Sequence, residues 1–313
     1  MGLLLQYTLI YASVLMLVAL GGCFSEHSGV INLGLEGIMV MGALGGALIM
    51  KYMASLPAAA MILAVLAGSI LFGVLYSLLL AVAAVNFKAN QTLVGTGMNL
   101  LGTAAATVLV KALNMAENSR NVSSSIQYIH QRKAFCALKI GNFELSWFMI
   151  LAFVLLIVSH IVLYKTRFGL RLRACGEHPQ AAASVGIDVF NMRYAGVLIS
   201  GLLGGLGGIV YITAGVSEWK FENGVAGFGF LALAVMIFGQ WEPKLIGLTA
   251  LLFGMFRALS NIYSGFDFLE ALHIPGAIYN MLPYIISLLV LTLFSKNSRA
   301  PKAEGIPYDK GQR

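Results

Sequence analysis

Apolar runs of membrane-spanning length, separated by short polar breaks, fill most of this chain. The first run covers residues 3–21, and a polar hinge at 24–28 (Phe-Ser-Glu-His-Ser) leads into a second at 30–50. Pro57 opens a third that reaches residue 85, long enough for one tilted helix or for a helix plus a re-entrant piece. After the polar turn 86–91 comes a fourth run, 92–113. Residues 114–145 form the longest polar segment and read as a loop in which nothing resembles a folded domain. The fifth run is 146–164, followed by the most charged internal block, 165–193. A glycine-rich sixth run (194–214), a seventh (225–239), an eighth (245–263) and a ninth (279–294) complete the series. The tail, 295–313, is basic and rich in Pro and Gly, which predicts an extended segment. The pattern therefore predicts an all-α polytopic membrane protein. Residues 1–294 form a bundle of about nine transmembrane helices, within a range of eight to ten.

Composition narrows this further. Of 313 residues, 59% are hydrophobic and 11% charged. Soluble domains carry roughly a quarter charged residues, so a pair of soluble domains is excluded. The net charge of +7 resides in loops and tail, which points to anionic lipid headgroups and not to nucleic acid. Cys23, Cys136 and Cys175 are far apart and odd in number, which fits neither a zinc site nor a disulfide framework. Residues 1–21 lack a basic leader and read as a retained helix. The positive-inside rule places block 165–193 and the tail in the cytoplasm. The four spans between them keep the two placements consistent, and 114–145 then lies outside. Arg120, Arg132, Lys133 and Lys139 in that loop run against the rule.

Few polar residues interrupt the runs, and each needs an explanation. Glu36 lies in GVINLGLEG (29–37), where a carboxylate costs ~2.5–3.5 kcal/mol on insertion scales. It requires a partner, a water-filled cavity or a place near the surface. Gly29, Gly34 and Gly37 around it predict a broken or tightly packed helix. A faint echo, GVAGFG at 224–229, matches GVINLG at 29–34, and Val40-Met41 matches Val235-Met236 at the same offset. The two spans would run in opposite directions, making a candidate inverted repeat whose halves border a pathway. The pathway candidates are Asn32, Glu36, Gln91, Asn99, Gly227 and Phe228. For Asn99, helix–helix hydrogen bonding outweighs solute contact, and for Glu36 a structural latch outweighs a ligand role. Asn90 is placed to cap the fourth helix. Gly201, Gly204, Gly205 and Gly208 allow close helix approach. Arg257 is expected near the outer interface, paired with Asp267 or Glu270. Trp147, Trp219 and Trp241 are expected to anchor at membrane boundaries. The five histidines show no metal-ligand spacing, no nucleophile–base–acid set is visible, and no cofactor motif stands out.

The second anchor is TRFGLRLRACGEHPQAAASVGI, 166–187. Pro179 can open a short helix, Ala181, Ala182 and Ala183 favour it, and Gly186 can end it. Such a small, nearly uncharged helix flanked by arginines suits a groove on another protein; a basic loop against lipid is the alternative.

Both stretches, with Lys88-Ala89-Asn90-Gln91…Gly95…Asn99, Gly227-Phe228…Ala232-Leu233-Ala234 and the tail Arg299-Ala300-Pro301-Lys302-Ala303…Gly305…Pro307-Tyr308, resemble permease subunits of bacterial ATP-binding cassette importers. The group is the one handling branched-chain amino acids, ribose-type sugars and nucleosides, and the nucleoside or simple-sugar branch is nearest. His178 stands where Asn is usual, Cys175 where Val is common, and Arg257 where an uncharged or acidic residue is common. The resemblance implies a multi-pass protein of the bacterial inner membrane with a cytoplasmic C-terminus. It also implies a coupling helix carrying Gly176, Glu177, Pro179, Ala181, Ala182, Gly186 and Ile187, docked in an ATPase subunit. Further implied partners are a second homologous permease and an extracytoplasmic substrate-binding lipoprotein. The chain lacks the phosphate-loop motif G-x-x-x-x-G-K-S/T, so ATP hydrolysis would belong to that partner and this subunit is not an enzyme. The expected solute is a nucleoside or related ribosyl compound, with riboflavin, another vitamin or a sugar as the alternative. A proton-coupled secondary transporter acting through Glu36 is the rival class, and an intramembrane enzyme ranks last.

Overall fold

The computed structural model describes residues 2–128, 135–140, 143–214, 218–262, 278, 281–286, 288, 292 and 299–311. The long helices are α1 (Gly2–His27), α2 (Leu35–Tyr52), α3 (Ala58–Ala81, continued by a π-helical turn Val82–Asn86), α4 (Gln91–Glu117) and α5 (Trp147–Lys165). Between α4 and α5 lie β1 (Ser125–Gln127) and the hairpin β2 (Cys136–Ile140) and β3 (Phe143–Ser146). Then follow α6 (Arg167–Glu177), α7 (Pro179–Ser184), α8 (Val189–Ile212), β4 (Glu218–Lys220), α9 (Phe228–Phe238) and α10 (Pro243–Ile262). Seven described helices are long and apolar enough to cross a membrane.

α1 is the central post. Every residue from Ile10 to His27 is buried, as befits a helix apolar on all sides. α8 and α10 flank it, and α2 and α3 pack on the far side of α8. α8 allows this because its small residues let backbones meet. A Cβ at Gly205 would lie 2.6 Å from the Ser69 carbonyl oxygen, and one at Gly208 would collide with the Met39 carbonyl. The Ser69 hydroxyl donates to the Gly205 carbonyl at 2.6 Å, giving the contact a polar tie as well. α3, α4 and α5 turn Leu63, Leu75, Leu100 and Ile157 outward, an apolar face of the kind lipid or another membrane subunit covers.

The bundle has two distinct ends. At one, β1 pairs antiparallel with β4 (Ser125 opposite Lys220), and Lys51 pairs with Glu117 at 2.9 Å. At the other lie α6, α7, the turn after α9, and residues 299–311. The three cysteines divide accordingly: Cys23 and Cys175 are buried, and Cys136, on the hairpin, is exposed.

Several expectations from the apolar pattern are corrected. α1 continues through residues 24–27 of the polar stretch, because Glu26 and His27 find buried partners. α2 starts at Leu35, not 30, and residues 28–34 form a turn. The seventh run yields only the 11-residue α9, about 16 Å long, which is half the thickness of a hydrocarbon core. The loop 114–145 carries strands, block 165–193 is mostly helical, and residues 299–311 of the tail are folded onto the bundle. Trp241 is buried, its indole N–H donating to Glu26 Oε2 at 2.5 Å, so it is no boundary anchor. Of the ninth run, residues 281–286, 288 and 292 are described, and these are helical. Asp267 and Glu270 lie outside the described residues.

The α2–α8 contact yields a test. Gly208→Leu places a side chain against main chain that cannot retreat, and overpacking of this kind costs ~1–3 kcal/mol or more. The protein's melting temperature in detergent should fall sharply. Gly97→Ala, at a glycine open to its surroundings, should leave it unchanged.

Candidate functional site

Glu36 sits in the first turn of α2 and reaches across to the start of α9. Its Oε1 accepts the Gly227 N–H at 2.8 Å and its Oε2 the Gly229 N–H at 2.6 Å. The N–H groups of Val225 and Phe230 also point at the carboxylate. A helix leaves its first N–H groups without intrahelical acceptors, and its positive dipole end attracts an anion. Glu36 supplies both needs at once, from a different helix. The geometry depends on Gly227, which takes the left-handed conformation (φ +78°) that lets the chain turn into α9. It depends also on Gly229, where a Cβ would lie 2.5 Å from the Glu36 backbone nitrogen.

The turn entering α2 is held by side chains from two helices, α4 and α8, and by its own Asn32. Asn32 is fully buried; its amide donates to Ser200 Oγ at 2.8 Å and its carbonyl accepts from Gly34 N–H. Gln91 Oε1 accepts the Ile31 N–H at 2.7 Å. Asn99 accepts from Gly37 N–H at 2.9 Å and donates to the Leu33 carbonyl at 2.8 Å. Asn90 caps α4, accepting from Leu93 N–H. Phe228, immediately after the Glu36-bound glycine, is buried among Tyr11 and Tyr211, with ring centroids 5.6 and 4.5 Å away. The Arg257 guanidinium lies 5.4 Å from the same ring. All six pathway candidates thus converge on one junction between the turn 28–34, α4 and the head of α9. Ser200, Tyr11 and Tyr211 belong to it too and were not singled out from sequence, because hydroxyls within apolar runs carry no signal of their own.

α2 and α9 leave this junction in opposite directions. The last turn of α2 carries Lys51, which bonds Asn114 and Glu117 at the strand-bearing end. α9 ends beside Trp241, whose carbonyl contacts Cys23 and His27 at the opposite end.

The second site is α7. Pro179 stands at its first position after His178. At its end the Gly186 N–H bonds Ala183 and the Ile187 N–H bonds Ala182, with Gly186 at φ +83°: a Schellman closure. Pro179 and Ala182 face inward. Glu177, Ala181, Val185 and Gly186 face outward, and Val185 is 75% exposed. Gly176 is buried against the His27 carbonyl, and Ile187 is half-buried. A large apolar side chain held on a capped, protruding helix is an arrangement that fits a pocket on another protein.

This broken-helix bundle is the architecture of a solute permease. The profile of the family described as "Branched-chain amino acid transport system / permease component" matches residues 4–291, and the chain belongs to that family. It is 40% identical to the guanosine ABC transporter permease protein NupQ of Bacillus subtilis, over all of this chain and 98% of that protein. It is 39% identical to the nucleoside ABC transporter permease protein NupC of Lactococcus lactis, over 97% and 96% of the two chains. The nucleoside ABC transporter permease protein NupB of the same organism is 22% identical, over 93% of this chain and 80% of its own.

Glu36→Gln tests the junction. The amide keeps one acceptor but turns an N–H₂ toward an N–H, losing a charge-assisted bond worth ~1.5–3 kcal/mol. The melting temperature in detergent should drop and uptake should fall with it; unchanged values for both would show that the charge has no role.

Proposed function

We propose that this chain is one permease half of an ATP-driven importer that moves nucleosides inward across a bacterial cytoplasmic membrane. The observation carrying this reading is α7: a short helix, capped at its end and anchored from within, that presents Val185 outward. An ATPase subunit with a matching groove is its partner, and ATP is hydrolysed there. The nucleoside comes from the names of the relatives at 39–40% identity. Two nucleoside ABC transporter permease proteins of Lactococcus lactis resemble this chain, NupC at 39% and NupB at 22% identity, which supports a heterodimer with a NupB-like subunit. The outward apolar faces of α3, α4 and α5 are available to that subunit and to lipid. An extracytoplasmic lipoprotein delivers the solute to the strand-bearing end, and α7, block 165–193 and the tail 295–313 lie in the cytoplasm. Asn32, Glu36, Gln91, Asn99, Gly227 and Phe228 border the pathway, with Glu36 as a latch between two segments that move when α7 moves.

The test is guanosine uptake by cells carrying the whole assembly. Uptake should vanish without the ATPase subunit. Glu177→Arg, which reverses a charge on the outward face, and Gly186→Trp, which strains the closure and fills the open space beside it, should each lower uptake by about tenfold or more, the scale of a lost interface anchor. Both variants should insert normally. Uptake by the purified chain alone, driven by a proton gradient, would overturn the proposal.

A further inference from the structure

Residues 299–311, the described part of the tail 295–313 that the sequence predicts to be extended, are stitched to several elements at their end of the bundle. The Arg299 N–H donates to Gln240 Oε1 at 3.1 Å, in the turn between α9 and α10. The Ala303 N–H donates to the Gly176 carbonyl at 2.8 Å, three residues before α7 begins. Two residues further on, the Gly305 N–H donates to the Gly29 carbonyl at 3.2 Å, at the start of the turn that leads to Glu36. Tyr308 is buried beneath α7 in a cluster with Ala182, Cys175 and Val189, and meets the Phe190 ring edge-on at 5.5 Å. Asp309 pairs with Lys88, just before α4, at 3.2 Å.

Between these anchors Glu304 turns inward. Its carboxyl faces that of Glu26, and Glu304 Oε2 is buried without an N–H or hydroxyl donor among the described residues. Two facing carboxyls hold together only by sharing a proton. Burial keeps the Glu304 carboxyl above the usual carboxylate range, as that sharing requires. Glu26 is itself fixed by the Trp241 indole N–H. The buried guanidinium of Arg193 also lies against Gly29, where a Cβ would meet both it and the Ala303 carbonyl. A segment serving only as a plug would need apolar contact alone. This one makes directional bonds to the base of α7 and to the Gly29 turn from residues two apart.

We propose that segment 299–311 is a strut that transmits displacement of α7 to the Gly29 turn, and hence to the Glu36 junction, with Glu304 as its positioning residue. The strut rests on the reading of α7 as the ATPase-docking helix. Other links run through α6, packed on His27, and through α8, whose Ser200, Gly196 and Arg193 meet Asn32, Ser28 and Gly29; the strut adds main-chain bonds that join the base of α7 to Gly29 itself.

The experiment compares guanosine uptake with ATP hydrolysis, measured in parallel on the complete importer reconstituted in liposomes. Glu304→Ala and Tyr308→Ala should assemble and hydrolyse ATP, but move about tenfold less guanosine per ATP, the scale of one lost buried hydrogen bond at Glu304 and of one lost ring contact at Tyr308. Glu304→Gln, whose amide can donate to Glu26 in place of the shared proton, should restore the ratio to within about twofold. Should the alanine variants fail to assemble, Glu304→Asp, shorter by one methylene, should show the same loss of coupling in an assembled complex. A wild-type ratio in whichever of these loss variants assemble overturns the strut, as does Glu304→Gln being as impaired as Glu304→Ala. Absence of ATP-driven uptake by the wild-type complex would instead overturn the importer reading.

Discussion

A helix that stops inside a membrane bundle exposes backbone N–H groups where no water can satisfy them, and at the head of α9 the Glu36 carboxylate is their acceptor. The same bond resolves the opposite problem, since a carboxylate at that depth would otherwise be an unpaired charge. Two separately unfavourable features, a broken helix and a buried acid, become one favourable contact. Most of the surrounding structure follows from keeping it in register. Asn32, Gln91 and Asn99 occupy the polar groups of the turn before α2, so the turn cannot relax into helix or drift toward lipid. The small residues of α8 bring α2 close enough for Asn32 to meet Ser200.

Two kinds of contact are consequently separated. α1, α8 and α2 form a core in which backbone meets backbone, and such contacts do not deform gradually. The Glu36 junction and the turn before it are held by hydrogen bonds, which can be exchanged for others at modest net cost. A bundle built this way concentrates motion at its polar joints. Alternating access in permeases of broken-helix design needs motion of that kind.

Much of this was legible in sequence. Long apolar runs announce helices because only a helix satisfies its own backbone in lipid. GVINLGLEG announced an irregularity because glycines and a carboxylate are each costly in an ordinary span. Pro179 and Gly186 marked the limits of α7 because each suits one end of a helix and not the other. The rest depended on tertiary partners. The glycines around Glu36 signal an irregularity, but not whether residues 30–34, apolar but for Asn32, lie outside the helix that 35–50 form. That depends on Asn99 and Gln91, some sixty positions away. Glu26 and His27 read as a hinge because polar residues normally end a span. Trp241, more than two hundred residues distant, satisfies them and lets α1 continue. The tail read as extended because proline and glycine discourage regular structure, yet irregular backbone can still be fully bonded to its neighbours.

The distribution of thiols has a practical consequence. Cys23 is sealed inside α1, and burial pushes the Cys175 thiol up to about 11, so neither offers a thiolate to reagents at neutral pH. Cys136 alone is exposed, on the hairpin at the strand-bearing end. The natural chain therefore carries a single-site chemical handle confined to one face of the bilayer. A membrane-impermeant maleimide applied to intact cells reads which face that is, without a substitution anywhere in the protein.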